Sequence, residues 1–163
     1  MALLAGVANA DNNRFVFSDQ SVKDKRTGLS WTRDVNLGKM DWYGAFELVK
    51  EMNRKKFGGF NDWHIPSNDE FKTLTTYAES IGFNSSKADS SAAQKIPERF
   101  AQHLNRLGFY DVPSVGLFWT SSPVPDFVDH AWVAVLGMGV GGHAHKSVDG
   151  FGPCFVWPVR AGQ

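Results

Sequence analysis

The sequence predicts one domain that mixes helices with strands. Three observations carry this. Residues 14–17 are rich in Phe and Val, and residues 29–32 alternate bulky apolar side chains with polar ones, as half-buried strands do. Between residues 41 and 108 apolar positions recur at spacings of three and four, as on amphipathic helices. After Pro113 short apolar runs broken by Gly and Pro return to the strand pattern. No internal repeat, heptad run or linker interrupts residues 11–163, so they read as a single domain.

The two regimes meet at residues 58–70. Gly58 and Gly59 can take positive φ and close the preceding helix. Trp63 and Ile65 form a bulky pair at strand period, and Pro66 forces extended geometry on Ile65. Ser67 with Glu70 three residues on is a capping box, so a helix starts there with Phe71 as its first apolar residue.

In order, residues 14–17 and 21–24 are extended, a turn ends at Gly28, and Leu29 and Trp31 face inward from the next strand. Asp41 caps a helix whose apolar face is Trp42, Ala45, Phe46 and Val49. The basic run Arg54-Lys55-Lys56 suits that helix's C-terminal dipole. A second helix spans residues 68–80 with Gly82 as its stop, and residues 84–94 read as a polar loop. Pro97 opens a third helix that Gly108 ends, with His103 on its solvated side. Strands follow at residues 117–122, 131–136, 143–148 and 154–159. A stiff loop holding Pro123 and Pro125 and a flexible glycine turn at residues 137–142 separate the first three.

Composition narrows the function classes. Lys plus Arg and Asp plus Glu are 17 each, so nothing basic calls for nucleic acid. Six Trp and thirteen Phe argue for a rigid core of large rings, with some left for a binding surface. Cys154 is the one cysteine, which excludes an internal disulfide and a cysteine-rich metal site; its apolar setting reads as a buried, inert thiol. Residues 1–10 end in Ala8-Asn9-Ala10 after a short apolar run, the pattern of a signal-peptide remnant, or form an apolar N-terminal segment. No run approaches the roughly 18 apolar residues of a membrane span.

Chemistry is sparse. There is no G-x-S-x-G, H-E-x-x-H or P-loop, and the carboxylates of Asp69 and Glu70 belong to a helix first turn. His143 and His145 share one face of a strand, and Asp126, Asp129, His130 and Asp149 lie near in sequence. These types could serve a metal, but an exposed His pair is more often solvated, and no metal or cofactor is assigned. Sugar sites want planar rings beside carboxylates, and Phe127 and Phe151 flank these groups. The candidate ligand-binding set is therefore Asp126, Phe127, Asp129, His130, His143, His145 and Phe151, with no catalytic residue.

Taken in order, several motifs resemble a family. They are Thr27-Gly28-Leu29-Ser30-Trp31-Thr32-Arg33-Asp34, Asn36-Leu37-Gly38, Gly59-Phe60-Asn61-Asp62-Trp63-His64-Ile65-Pro66-Ser67, Phe118-Trp119-Thr120-Ser121-Ser122, Ala131-Trp132-Val133 and Val156-Trp157-Pro158-Val159-Arg160. The set resembles the Lcl C-terminal domain family, named for a bacterial collagen-like adhesin, over about residues 14–160. The resemblance implies an α+β, C-type lectin-like fold: an antiparallel sheet, two main helices plus a helical insertion, and adjacent N- and C-terminal strands. The family pattern usually carries Arg where His64 stands, which puts an ion pair at Asp62 in doubt. No Gly-X-Y tract is present for collagen-like trimerisation.

The functional expectation is a non-catalytic, secreted, periplasmic or cell-surface binding module for a glycan or protein ligand, with no nucleic-acid partner. The zero net charge weighs against a polyanionic glycan. Two alternatives stand beside it. One is a structural subunit of a surface assembly, a homo-oligomer with residues 1–10 packed on a neighbour. The other is a metal-dependent enzyme using the His143/His145 strand.

Overall fold

A computed structural model describes residues 13–84, 86–147 and 152–161. Residues 1–10, Asp149 and Phe151 lie outside them, and so do the expectations placed on those positions.

Two sheets organise the domain. The first contains β1 (Phe15–Phe17), β2 (Ser21–Asp24), β3 (Leu29–Thr32) and β9 (Val159–Ala161) in the order β1-β2-β3-β9, all antiparallel. The chain ends thus share one sheet. Their strands are not adjacent, however: β1 and β9 are its opposite edges. The tight Gly28 turn folds β3 back on β2, which leaves only the far side of β3 for the returning C-terminus. The second sheet is β4 (Lys39–Met40), β8 (Cys154–Phe155), β5 (Leu117–Val124), β6 (Phe127–Val135) and β7 (Gly139–His145), ordered β4-β8-β5-β6-β7. It is antiparallel except for the parallel pairing of β5 with β8 at Phe118 and Phe155.

Helix α1 (Trp42–Arg54) starts where Asp41 accepts the Gly44 N–H at 2.6 Å. It buries Ala45, Val49 and Met52. Phe46, expected inside, is 41% exposed; Met52 is the residue that continues the inner stripe, while Trp42 lies between, with its ring edge-on to Phe46 at 4.5 Å. Helix α2 (Asn68–Ser80) carries the expected capping box in both directions: Glu70 N–H to Ser67 Oγ and Ser67 N–H to Glu70 Oε2. The stretch before α2 is held by Asn53, whose amide bonds both the N–H and the C=O of Trp63, at 2.8 and 2.9 Å. His64 then bridges Val159, so the corner is stitched to the last strand.

The polar segment after Gly82 contains a short helix, α3 (Ser90–Gln94), which Asp89 caps. It leads into α4 (Ile96–Leu107), and Gly108 at φ 115° closes α4. His103 on α4 is not simply solvated. Its Nε2 lies 2.7 Å from the Tyr77 hydroxyl and its ring stacks on Phe100.

The core has two parts, one on each side of the second sheet. Trp31, Phe71, Leu74, Phe100, Phe118, Ala134 and Trp157 pack between α2, α4 and both sheets. Ala45, Val49, Trp63, Trp119, Ala131, Val133 and Ala144 pack under α1. The expected burial of Trp31, Trp63 and Trp119 holds, at 0%, 2% and 1% exposure.

Candidate functional site

The candidate residues gather on the hairpin of β6 and β7. The chain does not loop stiffly through the two prolines; β5 continues through Pro123 to Val124, and β6 begins after the turn at Pro125 and Asp126. Pro123 faces Ala131 within a stretch of irregular register, the kind of place that tolerates a residue without an N–H. The glycine stretch is likewise mostly strand. Gly139 starts β7, and Gly141 is the extra residue where the register slips between Val133↔Gly142 and Ala134↔Val140.

Register then decides which rings meet. His130 pairs with His145 and Trp132 with His143, so all four side chains project from one face. The opposite face at this level is Ala131 and Ala144, both buried against the α1 side. Small residues behind let the helix approach closely, and the rings in front stay partly in water.

The front face is a contiguous cluster. Phe127 stacks on His143 with ring centroids 5.3 Å apart and planes 17° from parallel. His130 is the hub, 5.0 Å from His143, 5.2 Å from His145 and 5.6 Å from Phe127, edge-on to each. Trp132 stands perpendicular to His143 at 6.1 Å. Phe127 is 53% exposed, and His143 is exposed too. The Nδ1 of His145 accepts the Ser147 N–H at 3.2 Å and lies 2.8 Å from the Ser147 hydroxyl. Among the described residues, no ring nitrogen of His130 or His143 has a hydrogen-bond partner. Asp126 and Asp129 are exposed, and their carboxylates are likewise unpaired among the described residues.

Two features border the cluster. Lys146 reaches back to the Val128 carbonyl at 2.6 Å and lies 4.7 Å from the Trp42 ring centroid, which pins the end of β7 to the start of α1. Beside His143, a shallow cavity of about 190 Å³ is lined by Leu117, Val133, Val135, Gly141 and Gly142.

Six of the seven expected site residues are thus on one hairpin, with Phe127, His130, His143 and His145 in ring contact. Trp132 belongs with them, half-buried on the same face. The signal that finds it is the period of two from His130. Among the described residues, no group of three or more His, Cys, Asp or Glu side chains has the geometry to hold a metal.

Chemistry elsewhere is structural. Burial pushes the Cys154 thiol up to about 11, against a smaller opposing pull from Lys39. Asp62 does have an ion-pair partner: Arg160 Nε donates to it at 2.6 Å and holds its carboxyl below the ordinary value. His64 Nε2 donates to the Glu70 carboxylate at 2.8 Å, which raises His64.

These features define a two-sheet α+β domain with a ring-bearing hairpin exposed on its second sheet. The chain belongs to the Lcl C-terminal domain family, whose model matches residues 20–160. Membership points to a bacterial surface-associated module. No curated protein and no solved structure matches the chain. No helix among the described residues is long and apolar enough to cross a membrane.

Proposed function

We propose that the domain is a non-catalytic adhesion module, exported to the periplasm or cell surface, that captures a glycan through the front face of the β6–β7 hairpin. The observation that carries this is the exposed stack of Phe127 on His143, beside the unpaired carboxylates of Asp126 and Asp129. A sugar ring presents C–H groups to a flat aromatic face and hydroxyls to carboxylates and imidazoles, and this surface offers both. The hairpin has a packed back and a partly wet front, so the ligand groups sit on a rigid element.

We read the fold as a variant of the C-type lectin-like arrangement. Two 13-residue helices flank the strands, the terminal strands share one sheet, and α3 with α4 forms a helical insertion. The test is a glycan-array screen of the purified chain with a protein pull-down beside it. Capture of a defined glycan class supports the reading. A blank array with a specific protein captured would move the ligand to the protein class.

A further inference from the structure

The front face holds three imidazoles, with His130 in ring contact with both His143 and His145. We propose that His130, His143 and His145 make capture acid-sensitive, so that ligand is held at neutral pH and released in mild acid. This rests on the hairpin face being the binding site.

Three features lead there. First, imidazole changes character on protonation: the neutral ring has one donor and one acceptor, and the cation has two donors and no acceptor. His130 and His143 present ring nitrogens without partners to any ligand, so a ligand hydroxyl that donates to one of them loses its acceptor in acid. Second, the rings crowd one patch. His130 lies 5.0 Å from His143 and 5.2 Å from His145, so acid gathers positive charge on a single small part of the face. Third, His145 Nδ1 accepts the Ser147 N–H and lies 2.8 Å from the Ser147 hydroxyl, so a proton placed there would make that hydroxyl the acceptor and rearrange the bonds of the turn that leaves β7.

Asp126 in the β5–β6 turn and Asp129 on β6 are the carboxylates beside this cluster; both are exposed, and neither is ion-paired to an imidazole among the described residues. Lys146 projects to the α1 side, with its ammonium on the Val128 carbonyl and over Trp42. On α1, Asp41 is spent capping Gly44. On α2, Glu70 is spent on His64 and Ser67, and Asp69 is exposed in the first turn. Among the described residues, no carboxylate forms an ion pair with any of the three imidazoles.

The test has two arms on the full chain. In the first, glycan capture is compared at pH 7.5 and 5.0 in wild type and in H130Q, or H143Q should H130Q fold poorly. Removing one imidazole should at least halve the fold-change in capture between the two values. A fold-change equal to that of wild type overturns the proposal. In the second arm, the glycan array is read at pH 7.5 and 5.0 with protein whose circular dichroism is unchanged between them. A loss of capture of at least tenfold at the lower pH is expected. Capture that holds at pH 5.0 overturns the acid release and leaves the binding site intact. An array blank at both values sinks the site itself, and the release with it.

Discussion

Arg160 Nε donates to Asp62 at 2.6 Å while the same guanidinium lies 3.6 Å from the centroid of the Phe60 ring. The last strand is thereby fastened to the corner that launches α2, 98 residues earlier in the chain. Arg160 is only 6% exposed, so its charge depends on this partner and on the ring.

Replacing Arg160 with Ala removes the hydrogen bond, the ring stack and the packing of its stem together. The expected loss is about 1–3 kcal/mol, read from chemical denaturation. Asp62→Asn should cost less, because the Asp62 side chain is 43% exposed. Equal losses in the two variants would show that the carboxylate, not the stem and stack, dominates.

The His64–Glu70 pair gives stability a defined pH dependence. Its Glu70 bond raises His64 above 6.5, so that contribution is complete below 6.5 and is lost as pH rises through the folded value. Burial alone would raise Glu70, but its bonds to His64 and Ser67 outweigh this and set it below 4.5. The Glu70 contribution is present above 4.5 and is lost as pH falls through the folded value. Both are in force between 4.5 and 6.5. The difference in melting temperature between wild type and H64Q should therefore be largest there and shrink toward pH 8.5. Both groups are partly in water, so the effect stays below about 1 kcal/mol. A difference that grows with rising pH would contradict the assignment.

Gly116 sits at φ 135°, and a Cβ built there would come within 2.5 Å of the Phe155 ring. Gly116→Ala should cost about 1–3 kcal/mol through displacement of that ring from the junction of β5 and β8. Gly59→Ala, at φ 88° but with nothing within 4 Å of the added carbon, should cost less. Thermal unfolding of the two variants side by side separates crowding from backbone strain.

Cys154 is 2% exposed and its thiol is pushed up to about 11 by burial. A thiol-specific reagent at pH 8 should label it only after denaturant unfolds the chain. Rapid labelling of the native protein would mean that the β4–β8 edge opens.

Local physics made part of this architecture readable. Ser67 and Glu70 specify a helix start within four residues, and the box is there in both directions. His143 and His145 share a face because strands alternate, whatever they pair with. Long-range choices were not readable. That His130 lies across from His145 depends on the slip at Gly141, and the sequence around that glycine looks like a turn. The sequence around Asp62 offers it no cation, because the one that serves it stands in the last strand. Helical spacing puts Phe46 inside, but spacing cannot say which of two neighbouring stripes the sheet will cover.

The hairpin site is tested most directly by replacing Asp129 with Asn and His143 with Ala in one chain. Capture on whichever glycan surface binds wild type is then measured at pH 7.5, with the melting temperature of the same sample. Both side chains are exposed, so the site predicts at least a tenfold loss of capture with a melting temperature within about 3 °C of wild type. Undiminished capture, or a loss that comes only with a large fall in melting temperature, would contradict it.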